Sequence, residues 1–297
     1  MAFKLRDADC GMNDSRTQVR ICYNAAISRR EGMIMDYHSI LYKKESGKVT
    51  ITLNRPRALN ALNGEMIAEL LSAVGQAAED PEIKVLVLTG AGRAFCFGAD
   101  VSEFSRPKDQ PTQEGTLLLL QKSQEIIRLL TGMPKPTIAA LNGFATGLGL
   151  DLALACDLRI AAERAKLAEA FISMGLVPDG GGTFFLTRLV GLARAAEMIF
   201  TGMPLSSTEA ERIGLINRVV PNEDFIKVIE GLADKLVRGP SLALGLAKQT
   251  LWKNLQGDLD SALKIEAQGQ EICLASADHR EAVQAFSEKR DPVFRGK

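Results

Sequence analysis

Three glycine-containing stretches each carry an aspartate, and their residue types and spacing could do chemistry. They are residues 92–100 (GRAFCFGAD), 142–151 (NGFATGLGLD) and 175–183 (GLVPDGGGT). Glycine lets the backbone approach a ligand closely. Unpaired N–H groups at the start of a helix suit an oxyanion or a phosphate. Such segments are therefore candidates for a site in which backbone donors hold a negatively charged group.

Asp179 and Asp151 are the candidate carboxylates, and each also has a structural interpretation. Asp179 lies between Val177-Pro178 and the glycine run of residues 180–182, and an apolar site would raise its pKa so that it can accept and return a proton. Alternatively, Asp179 is the N-cap of a helix that starts near Gly180. Asp151 is alternatively a buried structural acid paired with a nearby arginine. Any one loop alone is more typical of a tight turn.

Several other kinds of chemistry lack their motifs in this sequence. The GLG of residues 147–149 lacks the third glycine of a dinucleotide fingerprint, since Leu152 occupies that position. No lysine follows a glycine loop as in a P-loop, and neither a GxSxG elbow nor an HExxH motif occurs. The five cysteines are odd in number and form no CxxC pair, which indicates a reducing compartment and predicts a cytoplasmic protein.

The overall composition predicts a globular chain with no strong electrostatic field. The 297 residues are 46% hydrophobic, and 36 basic residues balance 36 acidic ones. A net charge of zero argues against nucleic acid or an anionic membrane as a partner. We expect residues 1–35 to be a disordered extension. A mitochondrial transit peptide is the alternative, although acidic residues interrupt it.

Strands alternate with helices in the first two thirds of the chain, and helices alone follow. Short apolar runs at residues 49–53, 85–88, 136–141 and 158–161 predict strands. Helical periodicity predicts helices over residues 66–78, 117–130, 150–155, 225–236, 241–255, 259–275 and 279–288. The alternation predicts an α/β fold with a mainly parallel sheet, in which the glycine loops follow strands at the ligand-binding edge.

Four ordered motifs resemble the crotonase (enoyl-CoA hydratase/isomerase) superfamily over roughly Tyr37 to the C-terminus. They are NRPRALNAL, GRAFCFGAD, KPTIAALNGFATGLGLDLALACD and GLVPDGGGT. Residues 170–183 and 288–297 resemble the epoxyphenylacetyl-CoA isomerase subgroup. The resemblance implies a spiral α/β core of repeated β-β-α units over residues 36–200 and a helical C-terminal oligomerisation region over residues 201–297.

The resemblance also implies roles for individual residues of the motifs. The backbone N–H groups of Ala99 and Leu148 would bind the thioester oxygen of an enolate, although the family usually has glycine where Leu148 stands. Asp179 would be the acid–base group. Asp151 occupies one of the two glutamate positions of the family hydratases. Phe171 occupies the other and would form a wall of the pocket. The implied substrate-binding residues are Ala61, Leu62, Gly98, Asp100, Val101, Gly147, Gly149, Phe171, Phe286 and Lys289.

These implications favour an enoyl-CoA isomerase that moves a double bond through one proton-shuttling carboxylate. The alternatives are an enoyl-CoA hydratase that uses Asp151 and Asp179 as a pair, and a non-catalytic family member. The expected ligand is a coenzyme A thioester bound as substrate, with no covalently bound cofactor and no metal. Lys289 and Arg290 would reach the CoA 3′-phosphate, and the chain would form a trimer or a hexamer.

Overall fold

The computed structural model describes residues 37–101, 113–255 and 257–297. The predicted disordered extension, residues 1–35, lies outside the described residues. Residues Tyr37–Lys297 form one compact unit, which contains both the predicted α/β core and the predicted helical region.

A six-stranded sheet forms the centre of this unit. Its strands, in spatial order, are β1 (Ile40–Glu45), β2 (Lys48–Leu53), β3 (Val85–Gly90), β5 (Thr137–Leu141), β7 (Leu158–Ala162) and β10 (Arg218–Val220). Strands β1 and β2 form an antiparallel hairpin, and every other pairing is parallel. The apolar runs of β3 and β5 are almost entirely buried because layers cover both faces of the sheet. The four strands predicted from the sequence are confirmed.

A second sheet of four short strands carries the loops of the candidate site. Its strands, in order, are β4 (Ala94–Cys96), β6 (Phe144–Thr146), β8 (Lys166–Ala168) and β9 (Leu205–Ser206). The first three are parallel, and β9 is antiparallel to β8. Sequence analysis did not predict these strands, because two or three residues are too few to show a period of two.

Three successive strand pairs place one strand in each sheet, and helices connect them. The helices of this region are α1 (Gly64–Glu79), α2 (Gln113–Gly132), α3 (Leu148–Leu154), α4 (Gly182–Leu189) and α5 (Gly191–Thr201). Thus β3 and β4 are followed by α2, and β5 and β6 by α3, while β7 and β8 lead to a 3₁₀ helix at Ala170–Met174 and then to α4. This order confirms the predicted spiral of β-β-α units.

The C-terminal part is helical, as predicted. It comprises α6 (Ser207–Arg212), α7 (Phe225–Val237), α8 (Ser241–Asn254), α9 (Leu259–Ala275) and α10 (Ala277–Glu288). The Asp278 carboxylate accepts hydrogen bonds from the N–H groups of Arg295 and Gly296, which fixes the C-terminal segment against the start of α10. Helix α9 contains no buried residue despite its leucines, so one of its faces has no packing partner among the residues that the structure describes.

A buried lysine joins α8 to the sheet. Lys248 forms a 2.8 Å ion pair with Asp157, which also accepts a hydrogen bond from the N–H of Thr137 at the start of β5. The Lys248 ammonium donates to the carbonyl oxygens of Leu130 and Lys135 as well. Because every donor of the buried ammonium has an acceptor, its burial is tolerated and α8 is fixed on the core.

In the part of the chain that the structure describes, no helix is long and apolar enough to cross a membrane. The three cysteines within that part, Cys96, Cys156 and Cys273, are free thiols.

Candidate active site

Two of the predicted glycine loops lie side by side because they follow neighbouring parallel strands, β4 and β6. A β-carbon on Gly149 would overlap the carbonyl oxygen of Cys96, so only glycine allows helix α3 to start this close to β4. A β-carbon on Gly98 would lie 3.0 Å from the Thr146 carbonyl oxygen and 3.8 Å from the Leu148 nitrogen. The segments that contain Ala99 and Leu148 are therefore neighbours.

The backbone pairing of the described residues leaves the N–H groups of Ala99 and Leu148 without a local acceptor, as the two candidate donors require. The Leu62 N–H donates to the Gly98 carbonyl at 2.8 Å, and the Asp100 N–H donates to the Leu62 carbonyl at 3.0 Å. Leu62 thus bonds to both neighbours of Ala99, and the Ala99 N–H points away from it. Leu148 is the first residue of α3, and its N–H has no carbonyl one turn back. Two such donors can hold a carbonyl oxygen that gains negative charge.

Arg55 and Asn60 hold the segment of residues 60–62 against the first loop. The Arg55 guanidinium donates to the Ala61 carbonyl at 2.6 Å and forms a 2.8 Å ion pair with Asp100. The Asn60 amide donates to the carbonyls of Ala91 and Ala94. The structure therefore brings four of the predicted substrate-binding residues of these two segments together, namely Ala61, Leu62, Gly98 and Asp100, while Val101 follows Asp100 as an exposed residue.

Asp151 is fully buried on α3, one turn after Leu148, and faces the third glycine loop. One of its oxygens, Oδ2, accepts a hydrogen bond from the Gly180 N–H at 3.0 Å. A β-carbon on Gly180 would lie 2.7 Å from that oxygen and 2.6 Å from Leu148 Cδ1. The glycine run is thus required by the Asp151 carboxylate and the Leu148 side chain beneath it. Leu148 is itself buried, with its side chain turned to this packing.

Asp151 has no arginine partner, and the predicted structural alternative of an Asp–Arg pair is wrong. Within residues 37–101, 113–255 and 257–297, no ion pair to Asp151 is formed. Its neighbour is instead a second buried carboxyl group, Glu169. A β-carbon on Gly182 would lie 2.6 Å from Asp151 Oδ1 and 2.7 Å from Glu169 Oε1, so both oxygens lie directly beneath that glycine.

Asp179 is half-buried at the start of the same turn, and the predicted N-cap alternative is wrong. Helix α4 begins at Gly182, and its N-cap residue is Gly181, with no side-chain hydrogen bond. The Oδ1 atom of Asp179 is buried and has no hydrogen-bond partner among the described residues. Burial raises the pKa of Asp179, an effect that its own backbone N–H partly offsets. The Asp179 carbonyl accepts a 3.0 Å hydrogen bond from the Gln124 side chain on α2.

The remaining predicted residues divide between the site and a distant helix end. Gly147 precedes α3, and the buried ring of Phe171 lies 3.6 Å from where a Gly147 β-carbon would be. Phe286 and Lys289 lie at the C-terminal end of α10, where Phe286 is 87% exposed. No hydrogen bond or ion pair in the described parts of the chain joins them to the carboxylates, so within one subunit the structure does not gather these two with the rest.

Sequence reasoning missed Glu169, Gln124 and Arg55. Glu169 had a recognisable signal, because it is a lone acid in the otherwise apolar run of residues 167–172 (LAEAFI). Gln124 and Arg55 act through single long side chains from other elements, and nothing in their local sequence indicates these contacts. In the described residues, no group of three or more His, Cys, Asp or Glu side chains could hold a metal ion.

The fold and these loops place the chain in a known family. The Enoyl-CoA hydratase/isomerase family profile matches residues 43–297, and the chain belongs to this family. It is 41% identical over 258 residues to the 1,2-epoxyphenylacetyl-CoA isomerase of Escherichia coli K12, covering 87% of this chain and 98% of that protein. It is 37% identical over 257 residues to the short-chain-enoyl-CoA hydratase of Clostridium acetobutylicum, covering 86% and 97% respectively.

Solved structures agree with this assignment. The crystal structure of an enoyl-CoA hydratase from Bacillus anthracis matches with a TM-score of 0.83 and 36% identity, covering 88% of this chain and all of that one. A putative enoyl-CoA hydratase from Streptomyces coelicolor A3(2) matches with a TM-score of 0.85 and 33% identity, covering 90% and 98%. Members of the family act on coenzyme A thioesters.

The contact of Gly149 with β4 gives a test of the site geometry. Gly149→Ala should lower the free energy of unfolding by about 1–3 kcal/mol, because its β-carbon pushes α3 off the Cys96 carbonyl. Urea denaturation measures this change. The matched control is Gly231→Ala on α7, where a β-carbon meets no atom within 4 Å, and there we expect a gain of up to about 1 kcal/mol. Equal effects of the two substitutions would contradict the close approach.

Proposed function

We propose that this chain is an enoyl-CoA isomerase in which Asp179 shuttles a proton and the N–H groups of Ala99 and Leu148 hold the enolate oxygen. The single observation that carries this proposal is the state of Asp179. It is the one carboxyl group of the buried cluster that is partly open to the surface, and one of its oxygens lacks a partner in the described chain. Burial raises the pKa of Asp179, which suits a group that must both take and return a proton.

The reaction then needs only one carboxyl group. Asp179 removes a proton from the carbon next to the thioester carbonyl, and the C–H electron pair moves into the enolate. The oxygen receives hydrogen bonds from Ala99 and Leu148, each worth about 3–4 kcal/mol by analogy with acyl transfer. The protonated Asp179 returns the proton to the carbon at the far end of the conjugated system. The carbonyl re-forms and the double bond has moved, with no atom gained or lost.

A hydratase is the second candidate, and the names of relatives such as the Clostridium acetobutylicum protein favour it. Hydration needs a water held between two carboxylates. Here Phe171 supplies an apolar ring where the resemblance implies the second glutamate, and it is buried against Gly147. Asp151 is fully buried and bonded to the Gly180 N–H, which leaves it poorly placed to hold a water against the substrate. These contacts support the isomerase over the hydratase.

Asp179→Asn tests the proton shuttle. The amide keeps the size of the side chain but cannot move a proton, so turnover of enoyl-CoA should fall by about 10²–10⁴ while thioester binding and the fold persist. The control is Asp224→Asn, an exposed aspartate whose side chain makes no cap hydrogen bond, and this variant should keep full turnover. If Asp179→Asn stays active while Asp151→Asn is inactive, the assignment of the acid–base group is wrong.

We also propose that the chain assembles as a trimer or a dimer of trimers through its C-terminal helices. Helix α9 exposes Leu259, Leu263 and Leu274, which the helical repeat of about 3.6 residues brings to one apolar face that a lone subunit would leave in water. In such an assembly, the exposed end of α10 would reach a neighbouring subunit's substrate. There Lys289 would contact a CoA phosphate, whereas Arg290 is already engaged with Glu281 and Glu288.

Light scattering after size-exclusion chromatography measures the assembly. At micromolar concentration we expect the mass of three or six chains, because burial of the α9 face drives association. Leu263→Asp places a charge in that face and should shift the protein towards monomer, whereas Gln268→Asp, at an exposed position on the opposite side of the same helix, adds the same charge and serves as the matched control. A monomeric wild-type protein would contradict the proposal.

A further inference from the structure

Glu169 is a buried acid that the proposed reaction does not use. It is fully buried on the connection between β8 and the 3₁₀ helix, with Ala168 and Ala170 on either side. Neither of its carboxyl oxygens has a donor among the groups that the structure describes. A buried ionised carboxyl group without a donor or a cation is unfavourable, so this side chain requires a physical explanation.

The neighbour of Glu169 is itself an acid. The Glu169 and Asp151 side chains are within hydrogen-bonding reach of each other beneath Gly182. Two ionised carboxylates cannot donate to one another, and at this distance they repel. A hydrogen bond between them exists only if one of them carries a proton. The pair therefore holds one proton and one negative charge, as two carboxyl groups in a dry site do.

The hydrogen bonds decide which group carries the proton. Asp151 accepts from the Gly180 N–H, which stabilises its negative form. Glu169 has no such donor. Burial raises the pKa of both groups, and the negative charge of Asp151 raises the pKa of Glu169 further. For Asp151, the hydrogen bonds from the Gly180 N–H and from Glu169 partly offset the rise, so Asp151 is the group of the pair that ionises first. Glu169 is thus the donor and Asp151 the acceptor.

We propose that Glu169 is a positioning residue: its protonated carboxyl group donates to Asp151 and so fixes the turn of residues 180–182 that presents Asp179 to the substrate. Asp151 connects this turn, through the Gly180 N–H, to the helix that carries Leu148. Losing the donor would leave Asp151 with one hydrogen bond instead of two. The turn could then shift, and a small displacement of an acid–base group costs much of the rate. This inference rests on the proposed role of Asp179.

The proposal predicts a decline of turnover at high pH. As pH rises through the raised pKa of Glu169, the pair gains a second negative charge and the hydrogen bond is lost. In Glu169→Gln the amide keeps a donor that cannot ionise. We expect this variant to keep kcat within about threefold of wild type near neutral pH and to lack the high-pH decline. Circular dichroism at each pH separates this decline from unfolding.

Removing the donor should have a different effect. Glu169→Leu keeps bulk but offers no hydrogen bond, and kcat should fall by about 10–100-fold while KM changes by less than about threefold. A residue needed only for stability would change the midpoint of denaturation and leave kcat of the folded fraction intact. If Glu169→Leu keeps wild-type kcat, or if Glu169→Gln keeps the high-pH decline, the proposal is overturned. Should Glu169→Leu not fold, the pH profile of Glu169→Gln decides.

Infrared spectroscopy tests the protonated carboxyl group without any assay of turnover. At neutral pH in deuterated buffer, the wild type minus Glu169→Gln difference spectrum should contain the C=O stretching band of a protonated carboxyl group. The matched control is Glu163→Gln, which removes an exposed carboxyl group and should give only carboxylate bands. Absence of the band from the Glu169 difference spectrum overturns the proposal. If the band is present but the product of the reaction is a hydrated thioester, the isomerase proposal is refuted and the proposal of a protonated carboxyl pair stands.

Discussion

The hydrogen bond between the Gly180 N–H and the Asp151 carboxylate connects the two halves of the candidate site. Asp151 lies on α3, whose first N–H group, that of Leu148, is one of the two candidate donors to the thioester oxygen. Gly180 directly follows Asp179, the candidate acid–base group. The distance between the candidate donor and the candidate acid–base group is therefore set by a rigid helix and one hydrogen bond. Catalysis by positioning needs such a short and stiff connection.

The same arrangement concentrates acids in a dry region, which lowers stability. Asp151, Glu169 and Asp179 lie close together, and their mutual repulsion adds to the cost of burial. No cation of the described chain pairs with them. The Asp151–Glu169 pair beneath residues 180–182 reduces this cost of burial by keeping one proton, and Asp179 reduces it because its side chain is partly exposed. A cluster of perturbed carboxyl groups that no structural ion pair explains is typical of an active site.

Much of the fold, and the loops of the candidate site, could be predicted from the sequence, because long periodic elements and glycine loops have local signals. The buried strands β3 and β5 were predicted from their apolar runs, and the loops that contain Ala99 and Leu148 from their glycines. The short strands β4, β6 and β8 were missed, since three residues show no period. Their pairing nevertheless decides that the two donor loops are neighbours.

The details of the carboxylates could not be predicted, because they depend on contacts between distant segments. If Asp151 had a structural role, it was expected to pair with an arginine. Instead it faces Glu169, which is 18 residues further along the chain. Asp179 was considered as an N-cap, but α4 begins later than the sequence suggested, at Gly182. The burial of a carboxyl group and the identity of its partner are properties of the packed structure, and one sequence contains little information about them.

The product formed in deuterated water tests the central claim most directly. A panel of 2-enoyl and 3-enoyl thioesters of coenzyme A, incubated with the protein and examined by mass spectrometry, separates a moved double bond from an added water. The account predicts an isomerised thioester that has gained no water, with deuterium at the reprotonated carbon or partial internal transfer of the original proton. A 3-hydroxyacyl product that has gained one water would contradict it.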